Sequence, residues 1–340
     1  MGELYVIWMW RTLSVRWLSG VKYSNKILII LLIVIFLCAG WIGYSSFYNI
    51  PSMKWTMVNV NHTGQQGDAH LIQFKGGKTI LIDAGSLRPA EEKLIPFLKK
   101  EGVTDIDIVF ITHSHKDHYE GLKAILNNGI RISEVYFNIP DKELCDSEKT
   151  WGCDYQDVLN YHELLKEYGV PVKEAVAGMK FDFGNGGILS ILYAYDGVDT
   201  PIGRLDINDT SLIMRLEQDG YKILFAGDLN YKLGSYLADT AKDIDADILK
   251  VSHHGTEGCA PNKFFEKVSP KLAMIPSPTT LWCSQRSARI KNWFDSHEIS
   301  TYVNGFSGNT TLTIQDKKIK ISEELPGIVG CSGVKRTIAL

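Results

Sequence analysis

Between Ile108 and Gly121 the chain reads IVFITHSHKDHYEG, an apolar run that closes at Thr112 and then presents His113, His115, Asp117 and His118 within six residues. Imidazole and carboxylate are ligands for first-row transition metals, and alternate spacing at a strand end can aim several side chains at one point. His113 and His115, one residue apart, suit one ion. Asp117 and His118, a turn further on, suit a second. The chemistry two such ions offer is hydrolysis, because they acidify water and stabilise a developing oxyanion.

Three more apolar runs end in the same manner. Leu81-Ile82-Asp83-Ala84-Gly85 and Ile223–Asp228 (ILFAGD) each run into an acid, and Ile248–Gly255 (ILKVSHHG) runs into His253 and His254. Five of the nine His fall in two of these four segments. One acid at a strand end is ordinarily a turn or a cap. Several together mark a site on one rim of a sheet, where polar groups stay solvated.

Such a rim needs a sheet behind it. Short β-branched runs predict strands over 55–60, 69–74, 79–83, 107–111, 133–137, 188–194, 211–217, 221–226, 247–251, 271–275, 299–303 and 309–321. Helical patterns fall at 89–100, 118–127, 154–168, 229–241, 261–268 and 284–297. Strands and helices alternate without a Pro/Gly-rich break, so 55–322 is expected to be one layered α/β domain, with an aperiodic tail at 323–340 that wraps or frays.

The rest of the composition bounds the setting. Hydrophobic residues at 45% and charged residues at 22% exclude collagen-like, low-complexity and wholly disordered chains. Six Cys in 340 residues are too few for a disulfide-built scaffold. Cys145 and Cys153 flank a short polar stretch and could close a loop in an oxidising compartment, or remain free thiols. Residues 1–54 carry five Lys/Arg against Glu3, whereas the remainder carries 31 Lys/Arg against 38 acids. A basic head on an acidic body suggests a membrane-facing N-terminus.

The segment 27–44 (ILIILLIVIFLCAGWIGY) is uncharged over 18 residues, about 27 Å as a helix and close to the hydrocarbon thickness of a bilayer. Four positive charges precede it, which predicts a cytoplasmic 1–26 and an extracellular body joined by a linker at 45–54. The stretch is longer than a signal-peptide core and lacks a small-residue cleavage site, so an uncleaved signal anchor is expected. Tyr5, Trp8, Trp10, Trp17 and Leu18, with Arg11 and Arg16, suit either a short interfacial helix or an irregular tail.

The order D-A-G, T-H-x-H-x-D-H-x-x-G, G-D and S-H-H-G resembles the metallo-β-lactamase fold superfamily. Gln66-Gly67-Asp68-Ala69, Asn208-Asp209-Thr210-Ser211-Leu212 and Leu249-Lys250-Val251-Ser252-His253-His254-Gly255 bring it closer to the hydrolase domain of ComEC-type DNA-uptake proteins and their stand-alone relatives. The resemblance implies a four-layer αββα sandwich with two divalent ions, Zn first and Mn as the alternative, on one edge. It assigns His113 and His115 to the first ion and Asp117 and His118 to the second. Asp228 would bridge, one of His253 and His254 would complete the second ion, and the other could donate to a substrate oxygen. Because a strand sends neighbouring side chains to opposite faces, both are not expected on one ion. Asp83, Asn208 and Ser211 would stand behind these ligands. Full dinuclear members carry a further His before the bridging Asp; the one His in that interval, His162, lies in a helical pattern and reads as a surface or interface residue. The relatives also show a His-containing motif near the C-terminal helix, where this chain has Leu281-Trp282-Cys283-Ser284-Gln285-Arg286.

These readings combine into a membrane-anchored extracellular metallo-hydrolase that cleaves a phosphodiester, in DNA or in a phosphate-containing cell-wall polymer. Asp117, His253 and His254 would take part in catalysis. A lactonase or thioesterase of the same fold, or a non-catalytic binding subunit with a weakened metal site, are the alternatives. The acidic body opposes a broad nucleic-acid face, and Arg286, Arg289 and Lys291 on one helix read as a solvated face before a local basic patch.

Overall fold

Alternation along the strands decides the layering. In β3 (Thr79–Ala84) Ile80 and Ile82 face one way and Leu81 the other; in β4 (Asp105–Ile111) Ile108 and Phe110 oppose Val109 and Ile111. The first set meets Leu216, Ile223, Phe225 and Ile248 of a second sheet, and the second set meets helices. Both faces of these strands are apolar, as sheets covered on both sides require. The computed structural model describes residues 28, 30–36, 50–62, 64–148, 152–196, 205–326 and 331.

With β1 as Met53–Met57, β2 as Ala69–Phe74, β5 as Arg131–Phe137, β6 as Val172–Lys173, β14 as Thr310–Gln315 and β15 as Lys318–Glu323, the first sheet has the order β15-β14-β1-β2-β3-β4-β5-β6. With β7 as Lys180–Asp182, β8 as Ile188–Tyr193, β9 as Ile213–Gln218, β10 as Tyr221–Phe225, β11 as Ile248–Lys250, β12 as Leu272–Ile275 and β13 as Ser300–Val303, the second has the order β13-β12-β11-β10-β9-β8-β7. The helices Ile95–Lys100, Gly121–Asn127 and Tyr155–Glu167 cover the outer face of the first sheet through Leu98, Leu122, Ile125, Val158 and Leu165. Tyr231–Thr240, Asn262–Val268 and Ala288–Ser296 cover the second through Leu233, Phe264, Phe265, Ile290 and Phe294. The layers are helix, sheet, sheet, helix, as the resemblance implied.

What positions the site is the parallel half of each sheet. β3 runs parallel to β4, and β10 to β11, so the ends of all four strands carry their following residues to the same side of their sheets. The turn after β4 fits tightly: a Cβ on Gly121 would lie 2.0 Å from the Ala84 carbonyl oxygen, so the last position of the T-H-x-H-x-D-H-x-x-G run must be glycine.

Two details differ from expectation. The strand expected over 309–321 is the hairpin β14–β15, folded at Asp316 and Lys317, whose positive φ angles of 51° and 58° match the primed turns that suit strand twist. The short β6 and β7 carry too few residues for a periodic signal. Cys145 bonds to Cys153 and Cys283 to Cys331, while the buried Cys259 is a free thiol.

The chain divides into two units, Met1–Ile50 and Pro51–Leu340. In the first, Leu28 and residues 30–36 are helical with exposed apolar side chains. The remainder of the expected anchor 27–44, the segment 1–26, linker residues 45–49 and most of the tail beyond Leu325 lie outside the described residues. Among the described residues no helix is long and apolar enough to cross a membrane.

Candidate metal centre

At the end of β4, His113 and His115 turn toward each other, with Nε2 of His113 and Nδ1 of His115 3.0 Å apart. His118 follows on the single turn Lys116–Tyr119, and its ring centroid lies 4.1 Å from that of His113. From the other sheet, Asp228 reaches across: its Oδ2 is 3.4 Å from Nε2 of His118 and 3.1 Å from Nε2 of His254. Asp117 closes the ring, 3.5 Å from Nε2 of His254 and 3.9 Å from Nε2 of His118. The structure thus brings together His113, His115, Asp117, His118, Asp228 and His254 from opposite sheets. Ligand atoms of His113, His118 and Asp228, and of Asp117, His118 and His254, fall within 4.8 Å of one another.

The nitrogens are oriented from behind. Nδ1 of His118 donates to Asp83 at 2.9 Å, and Asp83 also accepts the Thr112 backbone N–H at 2.8 Å and its hydroxyl at 2.9 Å. Nδ1 of His254 donates to the Pro276 carbonyl at 2.9 Å. Each of these bonds leaves Nε2 unprotonated in the neutral ring and turned inward, the way outer partners set metal-binding imidazoles. Ser211, three residues after Asn208, accepts the Asp228 backbone N–H at 2.9 Å. Asn208 is buried, and neither side-chain polar atom has a hydrogen-bond partner.

This donor set fits divalent cations. Nε2 of His115, His118 and His254 are buried without any hydrogen-bond partner, a costly condition unless something accepts their lone pairs. The charges agree. Burial favours a neutral Asp228, yet His254, His118 and Lys250 outweigh it and hold the carboxyl well below the usual range. Burial likewise opposes charge on His254, and Asp228 and Asp117 push it up to about 10. The carboxylates of Asp228 and Asp117 thus favour positive charge at the centre of the cluster, as a cation site requires.

His253 and His254 are separated by conformation rather than by strand alternation. Both lie in the turn Ser252–Gly255 with left-handed φ angles of 46° and 53°, and their rings are 6.2 Å apart. His254 enters the cluster. His253 instead shares its Nδ1 with Asn230 Oδ1 at 2.6 Å, and burial pulls it down to about 4. It borders a cleft of about 240 Å³ with His115, Lys116, Asp117, Asp228, Gln65 and Gln66.

The expectation for His162 is corrected. His162 is buried against Phe137, ring centroids 4.8 Å apart, not at the surface. Asp209 sits in the turn Asn208–Thr210 and accepts the Asn230 N–H at 2.7 Å; burial and then Asp206 push it up to about 7. Arg286 pairs with Glu257 at 3.1 Å, and Arg289 donates to the carbonyls of Cys259 and Ala260 at 2.6 and 2.9 Å. These arginines brace the loop after the His pair rather than form an open basic patch. Sequence reasoning gave no role to Asp68 and Lys250, which lie beneath the cluster. The available signal was Lys250 itself, a charge two residues after Ile248 on a face where alternation demands an apolar side chain.

Residues 62–130 match the family model described as "Metallo-beta-lactamase superfamily". The chain is 26% identical over 185 residues to ComE operon protein 3 of Bacillus subtilis (strain 168), covering 54% of this chain and 22% of that protein. It is 23% identical over 280 residues to competence protein ComA of Neisseria gonorrhoeae, covering 81% and 34%. It is 31% identical over 113 residues to endoribonuclease ysh1 of Schizosaccharomyces pombe (strain 972 / ATCC 24843), covering 32% and 14%. The chain therefore spans at most 34% of the length of these relatives. Among solved structures it is similar to a CmlA beta-hydroxylase mutant, with a TM-score of 0.48 at 12% identity over 78% of this chain and 54% of that one. A diphosphatase from the PhnP family gives a TM-score of 0.37 at 16% identity, covering 65% and 85%.

Proposed function

We propose that this chain, which carries a metallo-β-lactamase superfamily domain, is a membrane-anchored, extracellular, metal-dependent phosphodiesterase acting on DNA or on a phosphate-containing cell-wall polymer. The observation that carries the reading is the convergence of His113, His118 and Asp228, and of Asp117, His118 and His254, on one buried point between the sheets. A relative named as an endoribonuclease favours a phosphodiester over a carboxylic ester. The uncharged segment 27–44 would hold the domain at the membrane.

His113 and His115 would hold one divalent ion, Asp117, His118 and His254 a second, and Asp228 would reach both. When bound, two such ions supply the Lewis acidity that lets water attack a phosphorus centre near neutral pH. The chain's own residues do the placing. Asp83 and the Pro276 carbonyl keep the His118 and His254 rings from rotating. Lys116, on the cleft wall and held at 3.6 Å by Asp157, is a cation within reach of an entering phosphate. His253 borders the same cleft, with its Nδ1 already engaged by Asn230.

The test is elemental analysis of the purified chain with hydrolysis of bis-p-nitrophenyl phosphate, beside His115→Ala. About two ions per chain and turnover lost in the variant are expected. Turnover of lactones or thioesters with phosphodiesters untouched would move the reading to those esters. No metal after reloading with Zn or Mn, and no turnover, would leave a binding subunit.

A further inference from the structure

Lys250 ends β11 on the face that packs between the sheets, beside Phe225 of β10 and Met274 of β12. It is 1% exposed. A buried ammonium is strongly unfavourable unless paired and hydrogen-bonded, and this one is: its Nζ donates to the Gly227 carbonyl at 2.8 Å, pairs with Asp68, and lies 3.5 Å from Oδ1 of Asp228. Asp68 is itself fully buried just ahead of β2, so the pair ties one sheet to the other. Its carboxylate oxygens lie 3.8 Å from Nδ1 of His254 and 3.9 Å from Nδ1 of His118. The pair therefore stands directly behind the two imidazoles whose Nε2 atoms face Asp117 and Asp228.

The two oxygens of Asp228 are treated differently. Oδ1 faces Lys250, whereas Oδ2 points between His118 and His254. Asp68 matters for a second reason. With Asp228 and His254 it forms a group whose ligand atoms lie within 4.8 Å, and it forms another with Asp83 and His118. A free Asp68 could thus draw a cation away from the cleft. Lys250 satisfies that charge from within the chain.

We propose that Lys250 is a positioning residue for the metal centre: by engaging Asp68 and one oxygen of Asp228 it keeps Asp68 out of the ligand set and fixes the other oxygen of Asp228 toward His118 and His254. This rests on the metal-binding reading of the cluster.

The experiment is a competition titration of Zn²⁺ against a chromophoric chelator, with thermal unfolding in parallel, on the full chain and on Asp68→Asn/Lys250→Met. That double change removes one positive and one negative charge together, so the net charge near the ions is unchanged and any lost affinity reports lost positioning. The buried Asn and the Gly227 carbonyl each lose their donor, so the metal-free Tm should fall modestly, and the same melt shows that the variant is folded when Zn²⁺ binding is read. The Zn²⁺ dissociation constant should rise about tenfold, the lower end for outer-shell partners. Lys250→Met alone is the second variant. Freed of its ammonium, Asp68 would compete for the cation, so Zn²⁺ affinity or stoichiometry in Lys250→Met should differ from the parent and from the double variant, and parent-like binding there overturns the positioning role. A double variant that binds Zn²⁺ as the parent does overturns the inference alone. A parent chain that binds no Zn²⁺ overturns the metal reading and this inference with it.

Discussion

The carboxylate of Asp83, at the end of one parallel strand, holds Nδ1 of His118 at 2.9 Å and so decides which ring nitrogen faces Asp228, 3.4 Å away in the other sheet. Asp83 holds a left-handed backbone, φ 58°, which brings its side chain under Thr112. Asn tolerates that conformation, so Asp83→Asn should fold. It removes one acceptor oxygen, and Zn²⁺ affinity should fall roughly 10- to 100-fold by competition titration. Unchanged affinity would mean that His118 is oriented by packing alone.

His253 and His254 make a sharp contrast. His254→Ala should leave roughly one ion in place of two, because it removes a ligand. His253→Ala should keep both ions and slow turnover, because its ring borders the cleft outside the cluster. Elemental analysis of the two variants side by side decides the assignment; equal metal loss in both would refute it.

Gly227 supports Asp228 through its lack of a side chain. Its φ is 47°, and a Cβ there would lie 2.6 Å from the Cβ and 2.7 Å from the Oγ of Ser211, the group that accepts the Asp228 N–H. Gly227→Ala should cost about 1–3 kcal/mol in urea unfolding from backbone strain and should also lower metal occupancy. Loss of stability with full metal occupancy would show that Ser211 does not help place Asp228.

His162 gives a pH test away from the centre. Burial holds it at about 4, below its ordinary 6.5. Above 6.5 it is neutral folded or unfolded, so its full share of stability is present. As pH falls toward 4 the unfolded chain takes up the proton first, and stability drops. Melts at about pH 7 and about pH 5 should show this slope, and His162→Leu should flatten it. An identical slope in the variant would place the titrating group elsewhere.

Much of this molecule follows from local order along the chain. Apolar alternation marks the strands that form both sheets, and the clustered His113, His115, Asp117 and His118 after one such strand mark the rim where chemistry belongs, because strand and ligand spacing are short-range properties. The choice between His253 and His254 does not. Two consecutive left-handed residues, rather than strand alternation, set the rings apart, and the partners that separate them, Asn230 and Pro276, lie 23 and 22 residues away. Nor does the partner of Lys250. Only when the two sheets stack does Asp68 meet an ammonium 182 residues on, and the need to neutralise charge between the sheets, where water is excluded, is what makes that meeting obligatory.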